Sequence, residues 1–257
     1  MPRAMAVFLP YFATDLRSRA QRRSSPSAAT SRRARSVSDD PARVLFLESR
    51  GQRMVSARCA RCASMGVRVG MPLTDALASM PSDEKPLVEA ATPERDAQAL
   101  RALAERMTRF SPIVAPDLPG ADGLLLDIAG CEHLFGGEAN MVRAVARSMR
   151  RSGLSCRVGV AGTFACARAV ARFGPHDYAS VPPGREADAL TPLPLRALGV
   201  DDGTVEALNE LGVRTVGRSM HLRRRDLPVR FGDALLLRLD IALGRALETI
   251  EPVRPAP

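Results

Sequence analysis

Residues 92–128 read TPERDAQALRALAERMTRFSPIVAPDLPGADGLLLDI, and their periodicities decide the fold. Thr92 is placed to cap a helix, Pro93 takes the first helical position, and Glu94 and Asp96 bring acids to its positive end. Leu100, Leu103 and Met107 recur at helical spacing, so a helix covers Thr92–Arg109. Pro112–Pro116 and Gly123–Ile128 are short apolar runs separated by the turn-rich Asp117–Asp122, the pattern of two strands. Downstream, Gly137–Arg151 puts Val142, Val145 and Met149 on one helical face and Arg143, Arg147, Arg150 and Arg151 on the other; Cys156–Ala161 follows as a buried strand. Upstream, Ala4–Leu9 is an apolar strand ending at Pro10. Strand, helix, two strands, helix, strand is the βαββαβ order of a ferredoxin-like sheet, an α+β fold with an insertion after its first strand.

Within the insertion, Leu16–Arg43 carries eight Arg and two Asp with almost nothing apolar, which reads as a basic, flexible loop. Val44–Leu47 and Met54–Ser56 flank the turn Ser49-Arg50-Gly51-Gln52 as a small hairpin. Two short helices are expected at Ala57–Met65 and Thr74–Ser79, the second capped by Thr74. From Thr163 onward the pattern is helical, broken at Pro182-Pro183 and at Pro192 to Pro194. Thr204–Leu211, the turn Gly212-Val213 and a second helix have the layout of a helix-hairpin-helix, whose glycine turn presents backbone N–H groups to phosphate; an ordinary helical hairpin fits the same pattern.

The chain has 257 residues, 46% apolar, with 37 Lys+Arg against 28 Asp+Glu, a formal charge of +9 and a pI near 10.4. A polyanion, nucleic acid first, is the partner class this charge suits. Lys85 is the sole lysine, and an Arg- and Ala-rich composition is equally the mark of a GC-rich genome. No apolar run approaches the roughly 20 residues of a membrane span, and the first ten residues are too short for a signal peptide, so a cytoplasmic protein is expected. Five cysteines do not form a secreted disulfide framework. Cys59 and Cys62 make a C-x-x-C, half of a zinc site or a redox pair; no second pair follows, His133, His176 and His221 are scattered, and the expectation is reduced thiols packing a helix.

Several blocks carry a family resemblance. FLPYFATDLR (8–17), ARCASMGVRVGMPLTDA (60–76), DGLLLDIAGCEHLFGG (122–137), GVAGTFACARAVARFG (159–174) and LPLRALGVDDGTVEALNELGVRTVG (193–217) stand in the order and spacing of Y-family translesion polymerases. DGLLLDIAGCEHLFGGE (122–138) and RFGDALLLRLDIALGRA (230–246) resemble its non-catalytic ImuB subgroup, found in bacterial mutagenesis cassettes. The resemblance implies a palm over 1–15 and 86–165, fingers over 16–85 with the basic loop 16–43, a helical thumb over 166–248 and a tail over 249–257, the family's little finger being absent.

The resemblance also supplies a chemical test. Family members hold two Mg²⁺ with a D-x-D on the first strand and a D-E pair before a later one. The first pattern falls on Val7 and Leu9 and the second on Asp122 and Gly123, so Asp122 is the one residual carboxylate and no metal cofactor is expected. One carboxylate does not clamp two divalent ions about 4 Å apart. Asp117, Asp127 and Glu132 are the nearest spare acids, and Asp122 reads most simply as a turn residue. The family's nucleotide-contacting Tyr, Arg and Lys fall on Ala60, Ala63 and Phe164, while Phe12 keeps an aromatic at the sugar-gate position. In the thumb, the first G-x-G reads Gly199-Val200-Asp201, whose carboxylate would repel phosphate. DNA contact is therefore expected at Gly212, Arg214 and Thr215 and at Arg223, Arg224 and Arg225. The resulting expectation is a non-catalytic accessory protein of error-prone translesion synthesis. By resemblance it would act on DNA with an error-prone C-family polymerase, a recombinase-like protein and the sliding clamp, although the usual clamp-binding region lies outside this chain. An active polymerase with a rearranged metal site and a truncated DNA-binding remnant are the competing readings.

Overall fold

The computed structural model describes residues 2–24, 40–118 and 120–254. Strand β1 (Ala4–Phe8) leads into α1 (Phe12–Ser24). The hairpin β2 (Arg43–Ser49) and β3 (Gln52–Arg58) is followed by α2 (Ala60–Ser64), α3 (Leu73–Ala78) and β4 (Leu87–Ala90). Next come α4 (Pro93–Met107), β5 (Ile113–Pro116), β6 (Gly123–Asp127), α5 (Glu138–Arg151) and β7 (Arg157–Ala161). The chain continues with α6 (Phe164–Phe173), β8 (Tyr178–Ser180), α7 (Glu186–Leu190), α8 (Asp202–Glu210), α9 (Val216–Met220), α10 (Leu227–Phe231) and α11 (Asp233–Ala242). Two compact units result, one of Met1–Phe8, Leu100–Arg147 and Cys156–Pro257, the other of Leu9–Ala99 and Ser148–Ser155.

The first unit is built on a sheet of order β5-β6-β1-β7-β8. β1 runs antiparallel to both neighbours, with Phe8 opposite Gly123 of β6 and Arg157 of β7. The first four strands of that order are the ferredoxin-like arrangement read from periodicity. β8, parallel to β7, is an addition that a three-residue strand does not announce by alternation. Val7, Leu124, Leu126, Val158 and Val160 on one face of the sheet and Ala6, Leu125 and Ala161 on the other are almost fully buried, so the central strands are covered on both sides. The helix α6 lies on the sheet at unusually short range: a Cβ built on Gly159 of β7 would sit 2.2 Å from the Ala167 carbonyl oxygen, so only glycine fits. Ala165, Cys166, Ala167, Ala169, Val170 and Ala171 are the small residues that permit this approach, and all are buried. Beyond α6, the helical segments close a second layer of the same core through Leu190, Leu195, Leu208, Val216, Leu235 and Leu239.

The second unit holds a three-stranded sheet of order β3-β2-β4. Arg50 (φ 49°) and Gly51 (φ 75°) form the hairpin turn with both central residues left-handed, the twist a two-residue hairpin prefers. Its core is Val44, Val55, Cys62, Val67, Leu73, Ala76 and Met80.

Several expectations are corrected here. Residues 16–24 of the supposed basic loop are helical in α1; residues 25–39 lie outside the described residues. Arginine is a good helix former, and the polar face of α1 is satisfied by partners distant in sequence. Arg17 pairs with Asp96 at 2.9 Å, Arg22 pairs with Asp40, and Gln21 accepts from Arg43 at 2.6 Å. Thr74 does not cap α3: the helix begins one residue earlier behind Pro72, and the Thr74 hydroxyl lies against Asp75. Ala57 and Arg58 extend β3 rather than opening α2. Strand β4 was missed because Leu87–Ala90 pairs in parallel with β2, a long-range match that four residues do not display. Among the described residues, no helix is long and apolar enough to cross a membrane.

Asp15 of α1 is 7% exposed and accepts a hydrogen bond from the Ser155 backbone N–H at 2.8 Å. Burial dominates and raises its pKa from 3.8 to about 6, against the lowering effects of Ser155 and Arg22. The folded state therefore holds this proton more tightly than the unfolded chain, and stability falls as pH rises from about 4 through about 6. Asp15→Asn keeps the acceptor without the charge. Chemical denaturation should find it more stable than the parent at pH 8, by on the order of 1–3 kcal/mol, with the difference gone near pH 4.

Candidate functional site

The β1–β6 pairing brings Val7 opposite Leu124 and Phe8 opposite Gly123, so the turn into β6 presents Asp122 beside the end of β1. Val7 is 1% exposed, and Leu9, the next position of the D-x-D alignment, is 0% exposed. Neither side chain offers a donor atom. Gly123 is also confined: a Cβ there would stand 3.1 Å from the Val7 carbonyl oxygen and 3.4 Å from the Asp117 Cβ, so a longer side chain requires the neighbours to move.

Two carboxylates do meet here, and they are already engaged. Arg172, in the last turn of α6, grips Asp122 with both terminal nitrogens, Nη1 to Oδ2 at 2.8 Å and Nη2 to Oδ1 at 2.6 Å. Its Nη2 also donates to Asp117 Oδ2 at 2.8 Å. The guanidinium carbon lies 4.6 Å from the Phe8 ring centroid, which stacks the fork in place. One turn earlier on α6, Arg168 brings Nε to 3.1 Å from Asp117 Oδ1, a charge contact without hydrogen-bond alignment, and donates from Nη2 to Glu248 at 2.9 Å. Burial works against the charge on Arg172, but hydrogen bonds and attraction from Asp122, then Asp117, outweigh it and hold the guanidinium above its usual range. An arginine at this point supplies a fixed positive charge with fork geometry where a divalent cation would need open carboxylate lone pairs.

The other spare acids stand elsewhere. Asp127 closes β6 at the opposite end from Gly123, four residues along a strand rising about 3.3 Å each, and its Oδ1 accepts from the Ala129 N–H at 3.0 Å. Glu132 is farther still, in a 3-10 turn over Glu132–Phe135. No group of three or more His, Cys, Asp or Glu suited to a metal occurs among the described residues. The donor set does not fit a pair of Mg²⁺ ions. Asp122 is thus more than a turn residue, and Arg168 and Arg172 were missed in the sequence. The one signal was their i, i+4 spacing in ACARAVAR.

The aligned nucleotide positions give no charge either. Phe164 packs on the core of the first unit. In the second unit Ala60 is exposed, Ala63 is half-buried and Phe12 is 3% exposed, a core aromatic at the start of α1.

The thumb positions separate into two groups. Gly199 is left-handed (φ 70°), and Asp201 behind it caps α8, accepting from the Thr204 N–H at 2.9 Å and the Thr204 hydroxyl at 2.7 Å. Those hydrogen bonds hold the Asp201 carboxyl below its ordinary range. The protein's own carboxylate therefore fills the anion position at this helix N-terminus. At the second turn, Gly212 (φ 78°) and Val213 close α8 with N–H bonds to Asn209 and Leu208, both 2.9 Å. This is the Schellman arrangement, so these two N–H groups are spent inside the protein. Thr215 caps α9 by accepting from the Arg218 N–H, while the Val216 and Gly217 N–H groups go to Leu193 and Thr191. The expectation of backbone N–H groups offered to phosphate from the Gly212–Val213 turn is thereby corrected. Arg214 and Arg223 are exposed and pair with no described carboxylate. Arg224 is tied to Asp240 at 2.7 Å, which raises its pKa, and Arg225 lies 3.6 Å from Asp226.

A ferredoxin-like sheet with a hairpin unit inserted after its first strand and helices following it defines a polymerase-type palm, fingers and thumb. Over residues 21–172 the chain matches the impB/mucB/samB family, and it belongs to that family. It is 45% identical over 193 residues to Protein ImuB of Caulobacter vibrioides, covering 75% of this chain and 41% of that protein. It is 30% identical over 192 residues to DNA polymerase IV of Dehalococcoides mccartyi, covering 72% and 46%. The chain thus spans less than half the length of these relatives. In fold it is similar to DinB of Sulfolobus solfataricus, with a TM-score of 0.69 at 18% identity over 97% of this chain and 69% of that one. Dbh DNA polymerase in its insertion ternary complex gives 0.71 at 17% over the same shares.

Removing the guanidinium leaves Asp122 without a counter-charge beside Asp117, which keeps only its contact with Arg168. Arg172→Gln should lose on the order of 2 kcal/mol in urea unfolding, less than a fully buried pair because Asp122 is a third exposed. Arg172→Lys should recover only part of it, since an ammonium cannot fork across both acids.

Proposed function

We propose that this chain is a non-catalytic, Y-family polymerase-like accessory protein in DNA damage tolerance. It engages DNA while a separate error-prone polymerase carries out synthesis. The observation that carries this reading is Arg172: its guanidinium engages Asp122 and Asp117 beside Val7 and Gly123, where the family resemblance calls for metal-binding carboxylates. Likeness to a protein named ImuB and to a DNA polymerase IV supports the damage-tolerance setting. A sliding clamp and a recombinase-like protein complete the set of partners proposed through that likeness. The exposed Arg214 and Arg223 and the net charge of +9 favour a polyanionic ligand. The Asp201 cap makes the first thumb hairpin a poor phosphate site, so contact with DNA rests on side-chain charge more than on backbone amides.

Primer extension with Mg²⁺ or Mn²⁺ tests the catalytic half of the proposal. No template-directed incorporation is expected from the parent chain, and incorporation abolished by Asp122→Ala would overturn the non-catalytic reading. DNA affinity measured against salt tests the other half. It should fall steeply, with Arg214→Ala and Arg223→Ala each lowering the log–log slope by roughly 1. Asp201→Asn, which preserves capping without the charge, should tighten binding at low salt. A response to salt that is flat in all of these proteins contradicts phosphate contact.

A further inference from the structure

The C-x-x-C of the second unit is a built thiol pair. Cys59 follows β3 and stands at the N-cap of α2, and Cys62 lies one turn on. Their sulfurs are 3.5 Å apart and both are free thiols. The Arg43 backbone holds the two in register: its N–H donates to Cys59 Sγ at 3.3 Å, and its carbonyl oxygen lies 3.4 Å from Cys62 Sγ. Cys59 is half-buried and reachable from solvent, whereas Cys62 is 0% exposed within the core of the fingers. With no third His, Cys, Asp or Glu completing a metal site among the described residues, the pair has redox chemistry open to it rather than zinc.

The two sulfurs are electronically unequal. The hydrogen bond from the Cys62 thiol, with backbone N–H groups of Cys62, Arg43 and Arg61, outweighs burial and holds Cys59 well below the ordinary thiol range. The same hydrogen bond, together with burial, pushes Cys62 up. Burial also raises Cys131, and takes Cys166 to about 12. Glu84 is the carboxylate whose charge reaches Cys62, and it is paired with Arg61. A low-pKa, accessible sulfur beside a buried second one is the division between an attacking and a resolving cysteine.

We propose that Cys59 and Cys62 form a two-electron redox site in the fingers unit, with a hydroperoxide as oxidant and an intramolecular disulfide as product. The Cys59 thiolate attacks the terminal peroxide oxygen; an S–O bond forms, the O–O bond breaks, and the alkoxide or hydroxide leaves and takes a proton. The Cys62 sulfur then attacks the sulfur of the sulfenic acid; an S–S bond forms, the S–O bond breaks, and hydroxide leaves as water with the Cys62 proton. Two thiols and one hydroperoxide give one disulfide, one alcohol (water, from hydrogen peroxide) and one water. A dithiol reverses the step by exchange. Closing the sulfurs from 3.5 Å to a bond of about 2.05 Å requires a shift within the segment that carries Ala60 and Ala63. The structural packing role expected of these thiols is thereby extended to chemistry.

The sequence makes the product easy to read, because trypsin cuts after Arg58, Arg61 and Arg68 and separates the two cysteines. The full chain is reduced, desalted, treated with hydrogen peroxide, unfolded in urea with iodoacetamide present and digested without reductant. The expected product joins peptides 59–61 and 62–68, is two hydrogens lighter than their sum and reverts with dithiothreitol, while Cys131, Cys156 and Cys166 stay alkylable. Before oxidation, Cys59 should react with iodoacetamide at neutral pH about tenfold faster than Cys131. In Cys62→Ala, dimedone should trap a sulfenic acid at Cys59; in Cys59→Ser, Cys62 should stay reduced. If Cys62→Ala fails to fold, the mapping on the parent chain decides alone. Recovery of both peptides alkylated, Cys59 carried to sulfinic acid with Cys62 still a thiol, or disulfides only between chains would each overturn the proposal.

Discussion

The approach of α6 to β7 at Gly159 sets the position of everything at the sheet's end. With the Ala167 carbonyl 2.2 Å from where a Cβ would stand, the helix seats directly on strand backbone, and its run of small residues is the matching surface. Arg168 and Arg172 then project from the same rigid element toward the turn that holds Asp117 and Asp122. Those acids would repel each other in a half-buried setting, and the fork of Arg172 resolves the conflict with geometry as well as charge. Phe8, from the neighbouring strand, covers the guanidinium and limits its freedom.

A common physical theme links this cluster to the thumb. At two places where the family resemblance calls for an external charged partner, the chain supplies one of its own. A guanidinium stands with the carboxylates that would otherwise be free for a cation, and the Asp201 carboxylate sits at the α8 N-terminus that would otherwise be free for a phosphate. The second turn follows suit, its amides consumed by the Schellman closure of α8 and by Leu193 and Thr191. Under the proposed function, internal satisfaction of this kind leaves the exposed arginines as the means of meeting a polyanion.

Much of the fold was legible because the elements that matter are long or strongly periodic. The helix α4, its two following strands and α5 are each marked by caps, a 3.6-residue stripe or a continuous apolar run, and their order fixes a ferredoxin-like sheet. What escaped depends on partners distant in sequence. The helix α1 looks like a loop because its polar face is satisfied by Asp96, Asp40 and Arg43 rather than by local contacts. β4 and β8 are too short to show alternation and exist through parallel pairing. At the site, that Val7, Leu9 and Gly123 carry no carboxylate was plain from residue type. The engagement of Asp122 was not, since nothing local connects it to a residue fifty positions away. Asp201 was recognised as a misplaced charge, but its capping role needed the observed geometry of Thr204.

Mn²⁺ titration of the full chain followed by electron paramagnetic resonance addresses the central claim most directly, because it reports on the carboxylates without requiring turnover, DNA or partners. If Arg172 has taken the cation's place, the spectrum at every step is that of the free hexaaquo ion, and Asp122→Asn leaves it unchanged. Stoichiometric loss of the free-ion signal in the parent chain, restored by Asp122→Asn, would contradict the account.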